Sequence, residues 1–226
     1  MIAFIVILLV VGAVVYFKFS ADPKELKERG KGRNAEQRQA LRYFFNDGCL
    51  QKKVSDAAYD AMVDAKIKSL NAKEKAMAKI GLDESQLKEI DPVHFEGYYF
   101  DPKKTYSKRG KDGYWRSSAY QISWLFFSST QVYLYQYTFN MDEDGKKEAT
   151  EEYFYKDITN FATVSDTIET PYWDVKQKKI MLENVNSNRF SLVVPGDKFY
   201  CAMEQNEYTE RAIQGMKAKL REKKNG

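Results

Sequence analysis

The sequence predicts an α+β chain: an N-terminal apolar helix, a small helical module, then an antiparallel β-domain closed by a C-terminal helix. Three observations predict it. Ile2 to Phe17 carry no charge, with Gly12 as the one strong helix breaker. From Asn34 to Ile90 apolar residues recur at helical spacing, and from Val93 onward the period drops to two. Near the C-terminus Tyr208, Ala212, Met216 and Leu220 recur at i+4 steps with Ile213 beside them, the stripe of a docked amphipathic helix.

The apolar start, residues 1–19, reads as an anchor. Ile2 to Phe17 span roughly 25 Å as a helix, against about 30 Å for a hydrocarbon core, and Lys18 snorkels to close the gap. A cleaved signal begins with positive charge and ends in small residues; this run has no Lys or Arg before it, and Phe19 sits two before Ala21. The competing readings are a buried core helix and an atypical signal. Lys18, Lys24, Lys27, Arg29, Lys31 and Arg33 follow the run, against Asp22, Glu25 and Glu28. That asymmetry predicts a single-pass topology with the N-terminus out and the body cytoplasmic, at a bacterial inner membrane. Residues 20–33, polar and with two glycines, read as a juxtamembrane linker.

The helical module is residues 34–92. Asn34 is the N-cap of a first helix with Leu41, Phe44 and Phe45 on one side. Asp47-Gly48 breaks it. A second helix starts near Ser55, with Ala58, Met62 and Ala65 along its stripe, and Gly81 ends it. Asp83 caps a short third helix, closed by Asp91-Pro92. The β-domain is residues 93–226. Its strands are "VHFEGYYF", "AYQISWLFF", "QVYLYQYTF", "TEEYFYK", "NFATVSDTIE", "KIMLEN", "RFSLVV" and "KFYCAM". "DPKKTYSKRGKDG" is a long basic loop, Asp144-Gly145 a hairpin turn, and "NVNSN" a turn. Asn206 caps the last helix.

Composition and motifs exclude several function classes. The net charge is +4, too mild for a strong nucleic-acid binder. Cys49 and Cys201 make no metal set, and in a cytoplasmic body they read as semi-buried thiols. His94 is the one histidine; at a strand start, without a nucleophile or carboxylate partner, it reads as a packing and hydrogen-bonding residue. No phosphate-cradling glycine loop appears. "DEDG" (Asp142 to Gly145) lies between strands and so makes a hairpin turn, not a calcium loop. Glu151 and Glu152 point to opposite faces of one strand. No enzyme, cofactor or metal is expected.

The stretches "WLFFSSTQVYLYQYTF", "YFYKDITNFATVS", "NRFSLVVPGDKFYCAM" and "NEYTERAIQGMKAKL" give strand–turn–strand, strand–kink–strand, hairpin and closing helix in order. Over residues 93–222 this order resembles the pleckstrin-homology-like fold, particularly its bacterial versions. The resemblance implies an antiparallel β-sandwich or open barrel capped by the C-terminal helix. Residues 41–70, with Asp47-Gly48 at a turn and Ser55 at a helix start, resemble the short helical hairpins (SHOCT-type modules) of bacterial membrane-associated proteins.

Two features are candidates for function. Lys103, Lys104, Lys108, Arg109 and Lys111 cluster around Tyr106, with Arg116 following Trp115. Such charge contacts an anionic lipid headgroup or a partner, at about 1 kcal/mol per charge near an anionic leaflet; the competing reading is a solvated loop. Tyr133, Tyr135 and Tyr137 share one strand face with Phe139 and form either core or a partner surface. A free sheet edge accepting a partner strand is a further mode. The expectation is therefore a membrane-anchored interaction protein presenting its β-domain to a protein partner, with an anionic-lipid module as the alternative. The helical module spaces the β-domain or oligomerises the chain.

Overall fold

The computed structural model describes residues 24–45, 53–83, 87 and 90–225. Among the described residues four helices precede the strands: α1 Lys24–Arg29, α2 Ala35–Phe45, α3 Asp56–Leu70 and α4 Ala72–Ile80. Nine strands follow: β1 Val93–Tyr99, β2 Ser107–Arg109, β3 Trp115–Ser117, β4 Ala119–Phe127, β5 Gln131–Asn140, β6 Lys146–Phe154, β7 Asn160–Asp174, β8 Lys179–Val194 and β9 Asp197–Ala202. Helix α5, Glu207–Asn225, closes the chain.

The chain is α+β with two sheets, ordered β1-β4-β5-β6 and β3-β2-β7-β8-β9. All pairings are antiparallel except a single β2–β7 bridge, Ser107 with Tyr172. The sheets join at two corners. Ser118 separates β3 from β4, so the chain passes from one sheet to the other almost without a break. At the second corner Met203 N–H donates to the Asn188 carbonyl at 3.1 Å and Glu204 N–H to the Glu96 carbonyl at 3.0 Å.

The period-two pattern of β4 and β5 explains the layers. Phe95, Leu125, Phe127, Val132 and Leu134 face the second sheet and meet Phe161, Phe190 and Leu192. Helix α5 covers this core with Ile213, Met216 and Leu220. Its start is fixed by a reciprocal cap between Asn206 and Thr209, each backbone N–H bonded at 3.0 Å to the other's side chain. The opposite face of the first sheet is also buried, which is why β4 is apolar on both sides. Helices α2 and α3 cover Tyr120, Ile122 and Phe139, and α4 covers Phe126 and Tyr135. Tyr43 of α2 stacks on Tyr59 of α3 at 4.3 Å, and the Tyr59 hydroxyl donates to the Ser117 carbonyl at 2.8 Å. The helical module is thus fastened to the β-domain.

Among the described residues no helix is long and apolar enough to cross a membrane. The longest, α5, carries nine Lys, Arg or Glu side chains among its 19 residues. This corrects the expected fold class, in which a transmembrane helix led the chain. The single-pass inner-membrane location, with an outward N-terminus and a cytoplasmic body, is corrected with it. Residues 1–19, where the anchor reading falls, lie outside the described residues, as do Cys49, the Asp47-Gly48 turn and most of the expected third helix. Within the expected linker, α1 buries Leu26 among the helices.

One buried carboxylate makes a prediction. Asp142 is 4% exposed and its Oδ1 has no hydrogen-bond partner among the described residues. Burial, then the Glu143 charge, push it up to about 6. A carboxyl raised in the fold stabilises it fully below the ordinary aspartate value and loses that contribution as pH rises through about 6. The shift corresponds to about 3 kcal/mol. Asp142→Asn is therefore expected to be more stable than wild type at pH 7.5, by up to that amount, and no more stable at pH 4. Urea midpoints at both pH values check this; an advantage independent of pH would contradict it.

Candidate functional site

A groove of about 1270 Å³ runs between α3, β1, the β2–β3 hairpin and the long β7–β8 arm. That exceeds the roughly 300–1,000 Å³ of a usual small-molecule pocket. Aromatic side chains of Tyr98, Trp115, Tyr120, Tyr172 and Trp173 wall it.

The arm exists because β7 and β8 stay in uniform register from Asn160–Val193 to Asp174–Lys179. Side-chain bonds across the pair, Ser165 to Asn188 at 2.6 Å and Thr167 to Asn186 at 3.3 Å, hold its middle. Pro171 faces Leu182, in the same alternation as the Thr167–Asn186 and Ser165–Asn188 pairs, so its missing N–H falls on the side away from β8. Strand β9 pairs with β8 only over Arg189 to Val194. Residues 179–188 of β8 therefore have one strand neighbour, β7, among the described residues.

The other edge of that segment opens on the groove, which Glu183, Asn184, Asn186, Ser187 and Asn188 line. The Asn188 carbonyl accepts from Met203 on this side. The two-residue repeat then puts the backbone N–H and C=O of Asn186, Asn184, Leu182 and Ile180 on the same open edge. Those residues are uncharged. The outer edge of the first sheet, β6, carries Lys146, Lys147, Glu148, Glu151 and Glu152, charges that discourage strand addition. Near the arm's tip Val175 and Leu182 are about half exposed, at 47% and 54%.

The groove's inner wall is an ionic fork. Arg116 is 6% exposed and donates to both oxygens of Asp60, at 2.6 and 2.7 Å, and to both of Asp112, at 3.0 and 2.7 Å. Burial raises the Asp60 carboxyl, but the Arg116 and Tyr98 hydrogen bonds outweigh it and hold it below its ordinary value. The same fork, with the Tyr114 N–H, holds Asp112 at about 2. Gly110 makes room for it: a Cβ there would lie 2.3 Å from Arg116 Nη1.

The residues picked out by sequence fall in different places. Lys103 and Lys104 are exposed on the turn after β1, which Asp101 organises. The Tyr106 hydroxyl accepts from Arg29, and its ring meets Phe45 edge-on at 4.9 Å. Lys108 donates to the Tyr43 carbonyl at 2.7 Å and lies over the Tyr43 ring. Arg109 reaches the Gly113 carbonyl at 3.2 Å, and Lys111 N–H donates to Asp56 at 2.8 Å. The basic loop is thus largely a clamp on the helical module, and it contains β2, the first strand of the β2–β3 hairpin.

The tyrosine stripe is a docking floor. Tyr135 is buried beneath α4 and donates to Glu148 at 2.8 Å, which pairs with Lys79 of α4 at 2.8 Å. Tyr133 and Tyr137 pack around the same cluster. His94 packs on Trp124 and shares a 3.0 Å hydrogen bond with the Tyr208 hydroxyl. Cys201 is a free, buried thiol, pushed up to about 12 by burial.

Sequence reasoning missed the groove and its acidic end. Asp64 and Glu204 line that end, and Glu96 adjoins it beside Gly97. Gly97 permits the close crossing of the chain after β9: a Cβ there would lie 3.2 Å from Met203 N. The available signal was Asp56, Asp60 and Asp64, spaced four apart on one face of α3. No protein-family model, curated protein or solved structure matches this chain.

Proposed function

We propose that this chain is a binding protein, not an enzyme, and that its groove takes an extended segment of a protein partner as an added strand on β8. We read the β-domain as pleckstrin-homology-like. A four-strand antiparallel sheet (β1, β4, β5, β6) with the β2–β3 hairpin inserted after its first strand, a three-strand meander (β7, β8, β9) and a closing helix support that reading.

The observation that carries the function is the β8 edge, unpaired among the described residues and with uncharged residues (Ile180, Leu182, Asn184, Asn186) turned outward, opening on an aromatic-walled groove. Main-chain hydrogen bonds to such an edge supply affinity, and side-chain pockets supply specificity. The groove favours this mode over headgroup binding, because Arg116, Lys108 and Tyr106 are already engaged within the molecule.

Asn184→Pro tests the proposal. It removes one outward N–H and leaves the β7 ladder intact, because Asn184 turns its backbone groups away from β7. The probe is an immobilised pool of degenerate peptides of about ten residues, matching the edge at about 3.3 Å per residue. Wild type is expected to retain peptides and Asn184→Pro to lose them, with thermal unfolding little changed. Equal retention by both proteins would sink the added-strand mode.

A further inference from the structure

We infer that the acidic end of the groove receives a lysine or arginine side chain of the bound segment. The inference rests on reading the groove as a partner-binding cleft. Asp64 of α3, Glu96 of β1 and Glu204 after β9 converge there from three elements. Among the described residues none of the three has an ion-pair partner. This separates them from Asp60 and Asp112, which Arg116 neutralises. Desolvation first, then repulsion from Glu204 and Asp64, raises the Glu96 carboxyl. Desolvation, then Asp60 and Asp64, raises Glu204. A cation placed among them relieves that repulsion.

A second, independent observation points the same way. Tyr120 lines the groove and is 5% exposed, yet its hydroxyl makes no hydrogen bond among the described residues. Its aromatic neighbours Tyr98 and Phe139 fix the ring. The charges that act on its hydroxyl after burial are those of Glu96, Glu204, Asp64 and Asp60. The hydroxyl therefore opens on the groove without a protein partner, and its oxygen is free to accept from a bound donor. An ammonium or guanidinium supplies several N–H donors at once: to the Tyr120 oxygen and to the carboxylates around it. The nearby β8 edge sets the backbone of an added strand alongside, so a long basic side chain spans from strand to acids.

The test fixes the central residue of the degenerate peptides as Lys, Arg, Gln or Glu and measures retention by the full chain. Lys- and Arg-fixed pools are expected to be retained about tenfold more than Gln- and Glu-fixed pools. That preference should vanish in the Glu96→Gln/Glu204→Gln double variant and shrink in Tyr120→Phe. Tyr120→Phe keeps the ring packing, so it remains informative if the double variant folds poorly. Pools retained equally, but lost on Asn184→Pro, would overturn the cation inference and leave the groove reading standing. Retention of no pool would overturn both.

Discussion

Phe190→Ala is expected to destabilise the fold by about 3–5 kcal/mol, the range for deleting a fully buried phenylalanine. Phe190 has no exposed surface and stacks on Phe95 of the facing sheet, with ring centroids 4.6 Å apart and planes 20° apart. Phe161 lies 5.7 Å away on its other side. The ring is thus a central contact between the two sheets, within a core that also includes Leu125, Phe127, Leu134 and Leu192. Helix α5 leans on the same cluster through Ile213 and Met216, so collapse around the cavity would have to move three elements. Phe190→Leu, nearer in volume, is expected to cost under about 1.5 kcal/mol. Urea midpoints of the two variants check the ordering; equal small losses would mean that the sheets are held elsewhere.

Arg116→Met is the second large effect, at about 2–3 kcal/mol. Breaking a fully buried ion pair costs about 3–5 kcal/mol, but Asp60 and Asp112 keep partial access to water and rehydrate when the guanidinium is gone. The loss has a location. Asp60 is on α3 and Asp112 in the β2–β3 turn, so the fork ties the helical module to the groove wall. Amide exchange should quicken in α3 and β2–β3 more than in β7 and β8. Arg116→Lys should recover little, because an ammonium cannot present two forks to two carboxylates. Uniform acceleration across the chain would contradict a local clamp.

Much of the secondary structure was legible because its signals are local. The Asn34–Gln37 reciprocal cap and the Asn206–Thr209 cap sit where the sequence places helix starts. The alternation in β4 and β5 fixes which residues face which layer. The misses have nonlocal causes. The expected single helix from Ser55 to Gly81 is broken at Asn71, whose φ of 48° turns the chain without a glycine to mark it. The "NVNSN" turn is strand, because Ser165 and Thr167 across the pair give Asn188 and Asn186 cross-strand partners. Strands β2 and β3 are three residues each, too short for a period to show.

The site was less legible than the fold. The basic loop is visible as a charge count, but Asp60, which shares Arg116 with the loop's own Asp112, lies 56 residues upstream on α3. The tyrosine stripe gives no sign that α4 lies over it. The open edge of β8 follows from where β9 stops pairing, and no local pattern records that.

The most direct measurement is residue-resolved amide exchange along β8, with and without the retained peptide pool. Binding by strand addition predicts that the outward amides of Leu182, Asn184 and Asn186 slow when peptide is present, while the inward amides between them change little. Unchanged exchange along β8, or protection appearing instead at β6 or α5, would contradict the account.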